Sequence, residues 1–364
     1  MKVLMIVSRL NIGGTEKYIL SISRYLLSKG VEVGVAAKKG PLVNSFERAG
    51  ISVHLLPIGA EKRASSLSSI IANGGYSLIH AHDSKSFYDV ATLSRKLHIP
   101  FIASVHGTYL DRNAVLAMSK VAKKIITVSP QLSEWLNDEF KIPKHNIHMI
   151  PNGIDTSIFS SISEKNKCRM TLRLPRTAQI LVYAGRFSFD KYHIARKVIL
   201  AAEIIAKKNP NFMAILFGPG LSYRLRLIRL ANVINRRLGR QAIFIRPALS
   251  NVQNAYYAAD VVVGTGRVAL EAMACARPVV AVGVKGYCGV VEPENINQII
   301  HNHFGDHGTA APITVANLSR DCERILNNPK MAQLLGEFGK QTVGSKFSIN
   351  WIGSKLLEVY MKYQ

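Results

Sequence analysis

The chain has 364 residues, which favours two domains, because single hydrophobic cores stop growing at roughly 250–300 residues. Its hydrophobic fraction of 48% and charged fraction of 19% indicate a folded protein. No apolar stretch approaches the roughly 18 residues of a membrane-spanning helix, and MKVLMIVSRL lacks a signal-peptide cleavage site, so it is predicted to be a first strand. Four cysteines at scattered spacings argue against a disulfide framework or a zinc site. The composition therefore predicts a cytoplasmic protein.

The net charge of +24 comes from 47 basic and 23 acidic residues. Such an excess attracts phosphates, nucleic acid or anionic lipid head groups. Residues 223–240 form the densest basic stretch, and apolar residues recur there at near-helical spacing: Leu225, Ile228, Val233 and Ile234. The pattern predicts an amphipathic helix that either covers a sheet or attaches the protein to the inner face of an anionic membrane. Nucleic acid is not expected, because the aromatic residues of a single-strand binder are missing.

Short β-branched runs alternate with stretches of helical length. The strand candidates of the first half are VLMIV, VEVGVAA, ISVHLL, SLIHAH, FIASVH, KIITVS and IHMIP. The pattern lapses in a polar stretch after Phe159 and then resumes with ILVYAG, FMAILFG, AIFIRP, VVVGTG and PVVAVG. This alternation predicts an α/β protein with two doubly wound, Rossmann-like domains built on parallel sheets, residues 1–165 and 166–345. Ligands bind beyond the carboxyl ends of such strands, so we expect the site there, in the cleft between the domains.

The loop after the first predicted strand reads SRLNIGGTEKYI. Gly13 and Gly14 allow close approach of the backbone, and Thr15 is expected to cap the next helix. A helix N-terminus opened by glycines favours an anion such as phosphate, although a glycine turn is often only a turn.

Histidines follow two other strands of the first domain. His106, in SVHGTY, lies at the open end of a predicted parallel strand, where a histidine is well placed for chemistry. His80 and His82 are spaced like alternate strand residues. No third ligand stands at metal spacing nearby, so a metal site is not expected.

Anion-binding features cluster in the second domain. YAGRFSFDK ends a strand with Gly185 and Arg186 and offers Lys191, two cations that suit a diphosphate. The next strand ends at Gly218, and the turn GTGRVALEAMA leads directly into a helix whose first amides, from Gly266 to Ala269, are expected to face the same ligand. These features predict a diphosphate-bearing ligand, and the absence of GxxxxGK[ST] argues against a P-loop enzyme.

Seven motifs in this order resemble the retaining family-4 glycosyltransferases with the GT-B fold, over residues 2 to 292: GGTEKYI, SVHGTY, VSPQL, MIPNGID, YAGRFSFDK, ILFGPG and AADVVVGTGRVALEAMACARPVVAV. The resemblance implies a nucleotide-sugar donor bound mainly by residues 166–345, an acceptor bound mainly by residues 1–165, and no metal or other cofactor. It also implies that residues 346–364 form a helix that crosses back onto the N-terminal domain.

The resemblance assigns roles to individual residues. His106 matches the histidine that contacts the donor sugar, and Arg186 and Lys191 match the pair that neutralises the diphosphate leaving group. Glu271 matches the acid that binds the donor ribose. The remaining matches are donor-binding positions, with Gly218 added from the strand-end argument above: Gly13 and Gly14 near the donor phosphates, Val268 and Ala269 through their amides, and Leu249 in the base-stacking loop.

The chain departs from the family pattern at one informative position. Most relatives carry a glutamate eight residues before Glu271, next to the donor sugar, and here that position is Val263. Thr265 replaces an aromatic residue of the same motif. The expected replacement for the missing sugar contact is Thr265, Arg267 or the KGYCG loop, with Gly266 forming the turn between them.

The sequence thus predicts a metal-independent, retaining hexosyltransferase that moves a sugar, most commonly carried by UDP, to a glycan or lipid-linked acceptor. Cell-envelope polysaccharide or lipopolysaccharide synthesis is the expected setting, in the cytoplasm or at the inner face of the membrane. Two alternatives stay open: a partner subunit without catalysis that binds nucleotide-sugars, which Val263 motivates, and a nucleotide-sugar epimerase or hydrolase on the same scaffold.

Overall fold

The computed structural model describes residues 1–159, 165–309 and 311–363. The chain divides into two compact units, Met1–Asp155 with Phe347–Gln364, and Thr156–Lys346. The sequence predicts the boundary between the two domains at residue 165. Residues 160–164, just before this boundary, lie outside the described part. The binding roles of the two domains stay predictions. No helix in the described ranges combines the length and the apolar composition needed to span a bilayer.

The first unit is built on a parallel sheet in the order β3-β2-β1-β4-β5-β6-β7. Its strands are β1 (Lys2–Arg9), β2 (Glu32–Lys38), β3 (Ser52–Leu55), β4 (Leu78–Ala81), β5 (Phe101–Val105), β6 (Lys124–Thr127) and β7 (Ile147–Met149). Its first helices are α1 (Gly14–Ser28), α2 (Val43–Glu47), α3 (Ala60–Asn73), α4 (Ser84–Leu97), α5 (Arg112–Ser119) and α6 (Pro130–Phe140). All seven strand predictions for this half are confirmed. The central strands β4 and β5 are buried along their whole length, as expected where both faces of a sheet are covered.

Local capping defines several helix starts in this unit. The Asp83 carboxylate accepts the backbone N–H of Ser86, whose hydroxyl in turn accepts the N–H of Asp83, so α4 begins with a capping box. Ser129 caps α6, with Pro130 in the first turn. The prediction that Thr15 caps α1 is wrong: Gly13 is the N-cap residue and Thr15 lies inside the first turn.

The second unit is built on a six-stranded sheet in the order β10-β9-β8-β11-β12-β13. Its strands are β8 (Gln179–Ala184), β9 (Phe212–Phe217), β10 (Ile243–Arg246), β11 (Val261–Gly264), β12 (Val279–Gly283) and β13 (Gly286–Val290). Its helices are α7 (Thr156–Phe159), α8 (Lys165–Thr171), α9 (Phe189–Lys208), α10 (Leu221–Leu238), α11 (Gln253–Ala258), α12 (Arg267–Ala274), α13 (Ile296–His301), α14 (Val315–Leu326) and α15 (Pro329–Lys346). A short 3₁₀ turn, His303–Gly305, follows α13.

The five strands predicted for this half are all present and pair in parallel. The expectation of a purely parallel sheet is wrong at one edge, because β13 pairs with β12 antiparallel. Its sequence, GYCGV, contains two glycines, which carry no strand signal.

The last helix, α16 (Ile349–Met361), belongs to the first unit. Ser348 caps it, and its apolar face buries Ile352, Leu356 and Tyr360 in the same core cluster as Tyr18 of α1. The Tyr360 hydroxyl lies 2.5 Å from Nδ1 of His80 on β4. The prediction that the C-terminal helix packs back on the N-terminal domain is therefore confirmed.

The arginine-rich stretch forms α10, which packs on the second sheet through Leu227, Ala231 and Ile234. The predicted apolar stripe is wrong at one position: Leu225 is 46% exposed. Arg240, beyond the helix, donates to the carbonyls of Ala206, Asn209 and Phe212. These contacts agree with the covering role, and membrane attachment of this helix stays a prediction.

Candidate functional site

Glycines line the carboxyl edge of the second sheet. Gly218 directly follows β9, and a Cβ atom there would stand 2.0 Å from the carbonyl oxygen of Gly185, which follows β8. Gly266 precedes α12 with φ of +48°, a region that L side chains rarely adopt. Any residue larger than glycine is therefore strained at position 266 and overlaps the main chain at 218. Glycine at 218 therefore lets the segments that follow β8 and β9 pack directly against each other.

Two predicted cations lie at this edge. Arg186 follows β8, is 58% exposed at its side chain, and stands 3.8 Å from a carboxylate oxygen of Asp190. Lys191 lies in the first turn of α9 and is only 14% exposed. Its Nζ atom lies 3.3 Å from both carboxylate oxygens of Asp306. An exposed guanidinium just after β8 and a mostly buried ammonium in the first turn of α9 thus stand close together in the sequence, and two such cations suit a diphosphate.

Glu271 lies on α12 and is 2% exposed. Its Oε1 accepts from Nε of Arg267 at 2.8 Å, and its Oε2 accepts from the Tyr256 hydroxyl at 3.0 Å. Burial first, and then the nearby Glu271 carboxylate, raise the pKa of Tyr256, so the phenol remains a donor. Both carboxylate oxygens of Glu271 are therefore held in place by hydrogen bonds. Arg267, a predicted sugar contact, pairs with Glu271 and has 10% of its side chain exposed. Its sugar-binding role stays a prediction.

The first backbone amides of α12 and the loop after β10 are predicted donor-binding positions. The N–H of Val268 donates to the carbonyl of Thr265 at 3.0 Å, so this amide already has an acceptor within its own turn. Ala269 is fully buried one residue further on. Leu249, of the predicted base-stacking loop, is half-buried after β10. The binding roles of Val268, Ala269 and Leu249 stay predictions.

Asp306 is the acidic residue at this edge that the sequence did not reveal. Besides Lys191, its Oδ1 accepts from the backbone N–H of Val284, just beyond β12, at 3.3 Å. Burial alone would raise the pKa of its carboxyl, but Lys191, the Thr265 hydroxyl, His303 and His307 together hold it below its ordinary value. The signal in the sequence is only GDHG, a short run without periodicity. The carboxyl edge of the second sheet thus carries a second carboxylate besides Glu271.

Val263 lies under this edge, in the core. It is fully buried and pairs in register with Tyr183 of β8 and Val280 of β12. The Tyr183 hydroxyl points to the edge, since a Cβ atom on Gly185 would stand 2.8 Å from it. This hydroxyl is buried and has no hydrogen-bond partner among the described residues.

The carboxyl edge of the first sheet carries aromatic and imidazole groups. His106, 9% exposed, follows β5, and its Nε2 lies 3.2 Å from Nδ1 of His82. The ring of Tyr18 meets that of His106 edge-on, with centroids 5.6 Å apart. His80 Nε2 lies 2.8 Å from the Ser104 hydroxyl. Burial, and then the positive charge of a neighbouring histidine, lowers the pKa of His80 to about 3 and that of His82 well below its ordinary value.

The glycine loop of the first unit differs from the expected phosphate cradle. A Cβ atom on Gly13 would stand 2.3 Å from Oε2 of Glu16, so this carboxylate already lies over the N-terminus of α1. Gly14 is the first helical residue. The phosphate-binding role of Gly13 and Gly14 stays a prediction. Among residues 1–159, 165–309 and 311–363, no three His, Cys, Asp or Glu side chains converge as metal ligands would.

Two family models match almost end to end along the chain. The model described as Glycosyltransferase Family 4 matches residues 12–158, and the model described as Glycosyl transferases group 1 matches residues 164–342. The chain is 28% identical to D-inositol 3-phosphate glycosyltransferase 2 of Catenulispora acidiphila, over 82% of this chain and 81% of that protein. It is 24% identical to an uncharacterized glycosyltransferase of Methanocaldococcus jannaschii, over 96% and 94%.

Solved structures share the fold. The chain is similar to the HepE protein of Anabaena in complex with UDP-glucose, with a TM-score of 0.80, 20% identity and full coverage of both chains. A glycosyltransferase from Rickettsia africae matches with a TM-score of 0.80 and 19% identity, over 100% of this chain and 98% of that one. The two matched families, the two Rossmann-like units and the order of the motifs lead to one conclusion: the chain belongs to the family-4 glycosyltransferases with the GT-B fold.

Proposed function

We propose that this glycosyltransferase moves a hexose from a UDP-sugar to a glycan or lipid-linked acceptor, with retention at the anomeric carbon and without a metal. The observation that carries the proposal is the pair of cations at the carboxyl edge of the second sheet, Arg186 just after β8 and Lys191 in the first turn of α9. UDP is the proposed carrier because the HepE structures are described as complexes with UDP and UDP-glucose.

The chemistry of glycosyl transfer explains why cations belong at this position. Cleavage of the bond between the sugar and the diphosphate develops negative charge on the departing oxygen. Fixed positive groups aimed at that oxygen stabilise the transition state more than the ground state, and each such group contributes about 10²–10³ in rate. Lys191 and Arg186 supply the charge that a divalent metal supplies elsewhere. Glu271, held by Arg267 and Tyr256, would bind the ribose hydroxyls.

In the proposed mechanism, the leaving group is responsible for the retention of configuration at the anomeric carbon. The departing phosphate oxygen accepts the proton of the acceptor hydroxyl on the same face of the sugar, while that hydroxyl bonds to the anomeric carbon. His106, ordered by His82 and Tyr18, would hold the donor sugar. An acceptor of the cell envelope, as lipid or polysaccharide, agrees with the net charge of +24, which attracts anionic surfaces.

The test is the release of free nucleoside diphosphate from a panel of UDP-, GDP- and ADP-sugars, with and without membrane and polysaccharide extracts as acceptors. Release that depends on the extract, from a UDP-sugar, supports transfer. An NMR spectrum of the product gives the anomeric configuration, and unchanged turnover in EDTA supports the metal-independent mechanism. Release without an acceptor indicates a hydrolase. Conversion of the sugar without release indicates an epimerase.

One observation favours a second candidate function, a nucleotide-sugar-binding subunit without catalysis. The position of the family's sugar-contacting glutamate is Val263, and it is fully buried in the core. Binding of a UDP-sugar without turnover in the same panel would favour this candidate.

A further inference from the structure

The family's sugar-contacting glutamate has no counterpart at position 263, and the structure explains why no carboxylate fits there. Val263 is enclosed between Tyr183 and Val280 in the strand register, with no exposed surface. A donor sugar bound above this edge needs an acceptor for its hydroxyl groups, because a sugar hydroxyl taken from water without a partner costs free energy. A hydrogen-bond acceptor from another element can fill this role, and a carboxylate is the strongest such acceptor.

Asp306 is a carboxylate in the right place. A Cβ atom on Gly266, three residues after Val263, would stand 3.2 Å from Oδ2 of Asp306. The same carboxylate pairs with Lys191, which the proposed function assigns to the diphosphate. Its side chain retains 21% exposure, so it is enclosed but reachable. Asp306 thus stands between the turn that replaces the family motif and the cation that would face the leaving group.

The loop that carries Asp306 is rigidly built. His303, Phe304 and Gly305 have φ of +48°, +55° and +89°, so three consecutive residues adopt the left-handed conformation. Such backbone costs about 1–3 kcal/mol for each non-glycine residue and persists only where the surroundings enforce it. Phe304 is 1% exposed, and a Cβ atom on Gly283 of β12 would stand 2.2 Å from the carbonyl carbon of Gly305.

Hydrogen bonds complete this anchoring. The N–H of Lys285 donates to the carbonyl of Gly305 at 3.0 Å, and the N–H of Val284 donates to Asp306 itself. Strained backbone that is held on both sides of a polar side chain is typical of functional positions. The loop holds the carboxylate in place before any ligand arrives, which is the preorganisation that binding requires.

The neighbouring Tyr183 hydroxyl is a second, independent observation. It is fully buried beside Gly185 and has no hydrogen-bond partner among the described residues. Burial first, and then the Asp306 carboxylate as the leading charge, raise the pKa of this phenol, so Asp306 lies within electrostatic reach of it. A buried donor without a partner costs about 1–3 kcal/mol. This unpartnered hydroxyl lies at the same sheet edge as Asp306 and indicates a site that a polar ligand completes.

We infer that Asp306 takes the place of the missing motif glutamate and accepts hydrogen bonds from the hydroxyl groups of the donor sugar. This inference rests on the proposed function, and it makes Asp306 the residue that distinguishes a nucleotide-sugar from the free nucleotide. Its second contact, with Lys191, sets the sign of the expected effects. Removal of the Asp306 charge frees Lys191 for the diphosphate, so it strengthens binding of UDP while it weakens binding of the sugar.

The experiment compares the affinities of UDP and UDP-glucose for the wild-type protein and for Asp306→Asn by calorimetry. Asparagine keeps the shape and the carbonyl that accepts from Val284. We expect the ratio of UDP-glucose affinity to UDP affinity to fall about tenfold or more, since hydrogen bonds to a charged group are the strong ones. UDP affinity itself is expected to remain or to rise, which also reports that the unit is folded.

Asp190→Asn is the matched control, because it removes the acid that pairs with the other cation, Arg186. It is expected to change both affinities together and to leave their ratio as in the wild type. A second variant, Asp306→Glu, keeps the charge and is expected to retain part of the preference.

The possible outcomes distinguish a failure of this inference from a failure of the proposed function. If Asp306→Asn keeps the wild-type ratio, or loses UDP binding together with UDP-glucose binding, the inference is overturned and the proposed function stands. A wild-type protein that binds neither UDP nor UDP-glucose overturns the proposed function with its UDP carrier, and the inference falls with it.

Discussion

The carboxyl edges of the two sheets share one architecture and differ in their chemistry. In the first unit, the edge carries His82 and His106, with His80 and Tyr18 beside them, and burial keeps His80 and His82 neutral. In the second unit the edge carries ionised groups, with Lys191 paired to Asp306. Neutral imidazoles suit the hydroxyl groups of sugars, whereas fixed cations suit phosphates. The two edges thus differ in chemistry although both end parallel strands, so a shared topology does not by itself determine what an edge binds.

The largest effect is expected when a charge is added to the core just below the carboxyl edge of the second sheet. Val263→Glu places a carboxylate at a fully buried position, where an uncompensated charge costs about 3–5 kcal/mol. We expect a large fall in the urea midpoint of the second unit and lower transfer, rather than recovery of the family's glutamate. Val263→Ala is the control, because it creates a cavity without a charge. A stable Val263→Glu protein with faster turnover would show that the site accepts the glutamate after all.

The second-largest effect is expected when a cation is removed from the carboxyl edge of the second sheet. Lys191→Ala is expected to lower kcat/KM for transfer about 10²–10³-fold, because the leaving diphosphate loses a fixed positive group. Lys340→Ala, an exposed position on α15, is the matched control and should transfer like the wild type. Transfer by Lys191→Ala at the control rate would remove the lysine from the mechanism and weaken the contrast between the edges.

A smaller effect is expected when the carboxylate of Glu271 is replaced by an amide. Glu271→Gln keeps the shape that Arg267 and Tyr256 surround but removes the charge, so UDP affinity is expected to fall about tenfold. The variant should also lose most of the discrimination between UDP and 2′,3′-dideoxy-UDP, both measured by calorimetry. Glu337→Gln on α15, an exposed glutamate, controls for the change in net charge. Discrimination that persists in Glu271→Gln would assign the ribose to another residue.

The sequence predicted what local periodicity determines. Twelve strands followed from the alternation of β-branched runs and helical stretches, and Lys191 was singled out as a charge after a strand end. The C-terminal helix and the role of Glu271 came from the family resemblance. The sequence missed Asp306 because its partner Lys191 is 115 residues away and its loop has no period. It also did not reveal the ion pair between Arg267 and Glu271, which is an i,i+4 pair on a helix. Long-range pairing and side-chain direction need the folded chain.

The smallest effect concerns the pH dependence of folding stability that the buried histidines of the first unit cause. His80 has a folded pKa of about 3 against an ordinary value of 6.5. Between these values the unfolded chain binds more protons than the folded one, so stability falls as the pH falls below 6.5. One such histidine contributes a loss of about 1 kcal/mol between pH 6.5 and 5.5. His82 acts in the same direction, because its pKa is lowered as well.

His80→Asn removes one of these titrations and is expected to reduce the loss of stability between pH 6.5 and 5.5 by about 1 kcal/mol. His98→Asn is the matched control, since His98 is exposed and has φ of +52°, which asparagine tolerates. Urea unfolding followed by tryptophan fluorescence reports on the first unit alone, because both tryptophans of the chain, Trp135 and Trp351, belong to it. An equal pH dependence in wild type and His80→Asn would show that burial does not keep this histidine neutral, and the contrast between the two edges would lose its electrostatic basis.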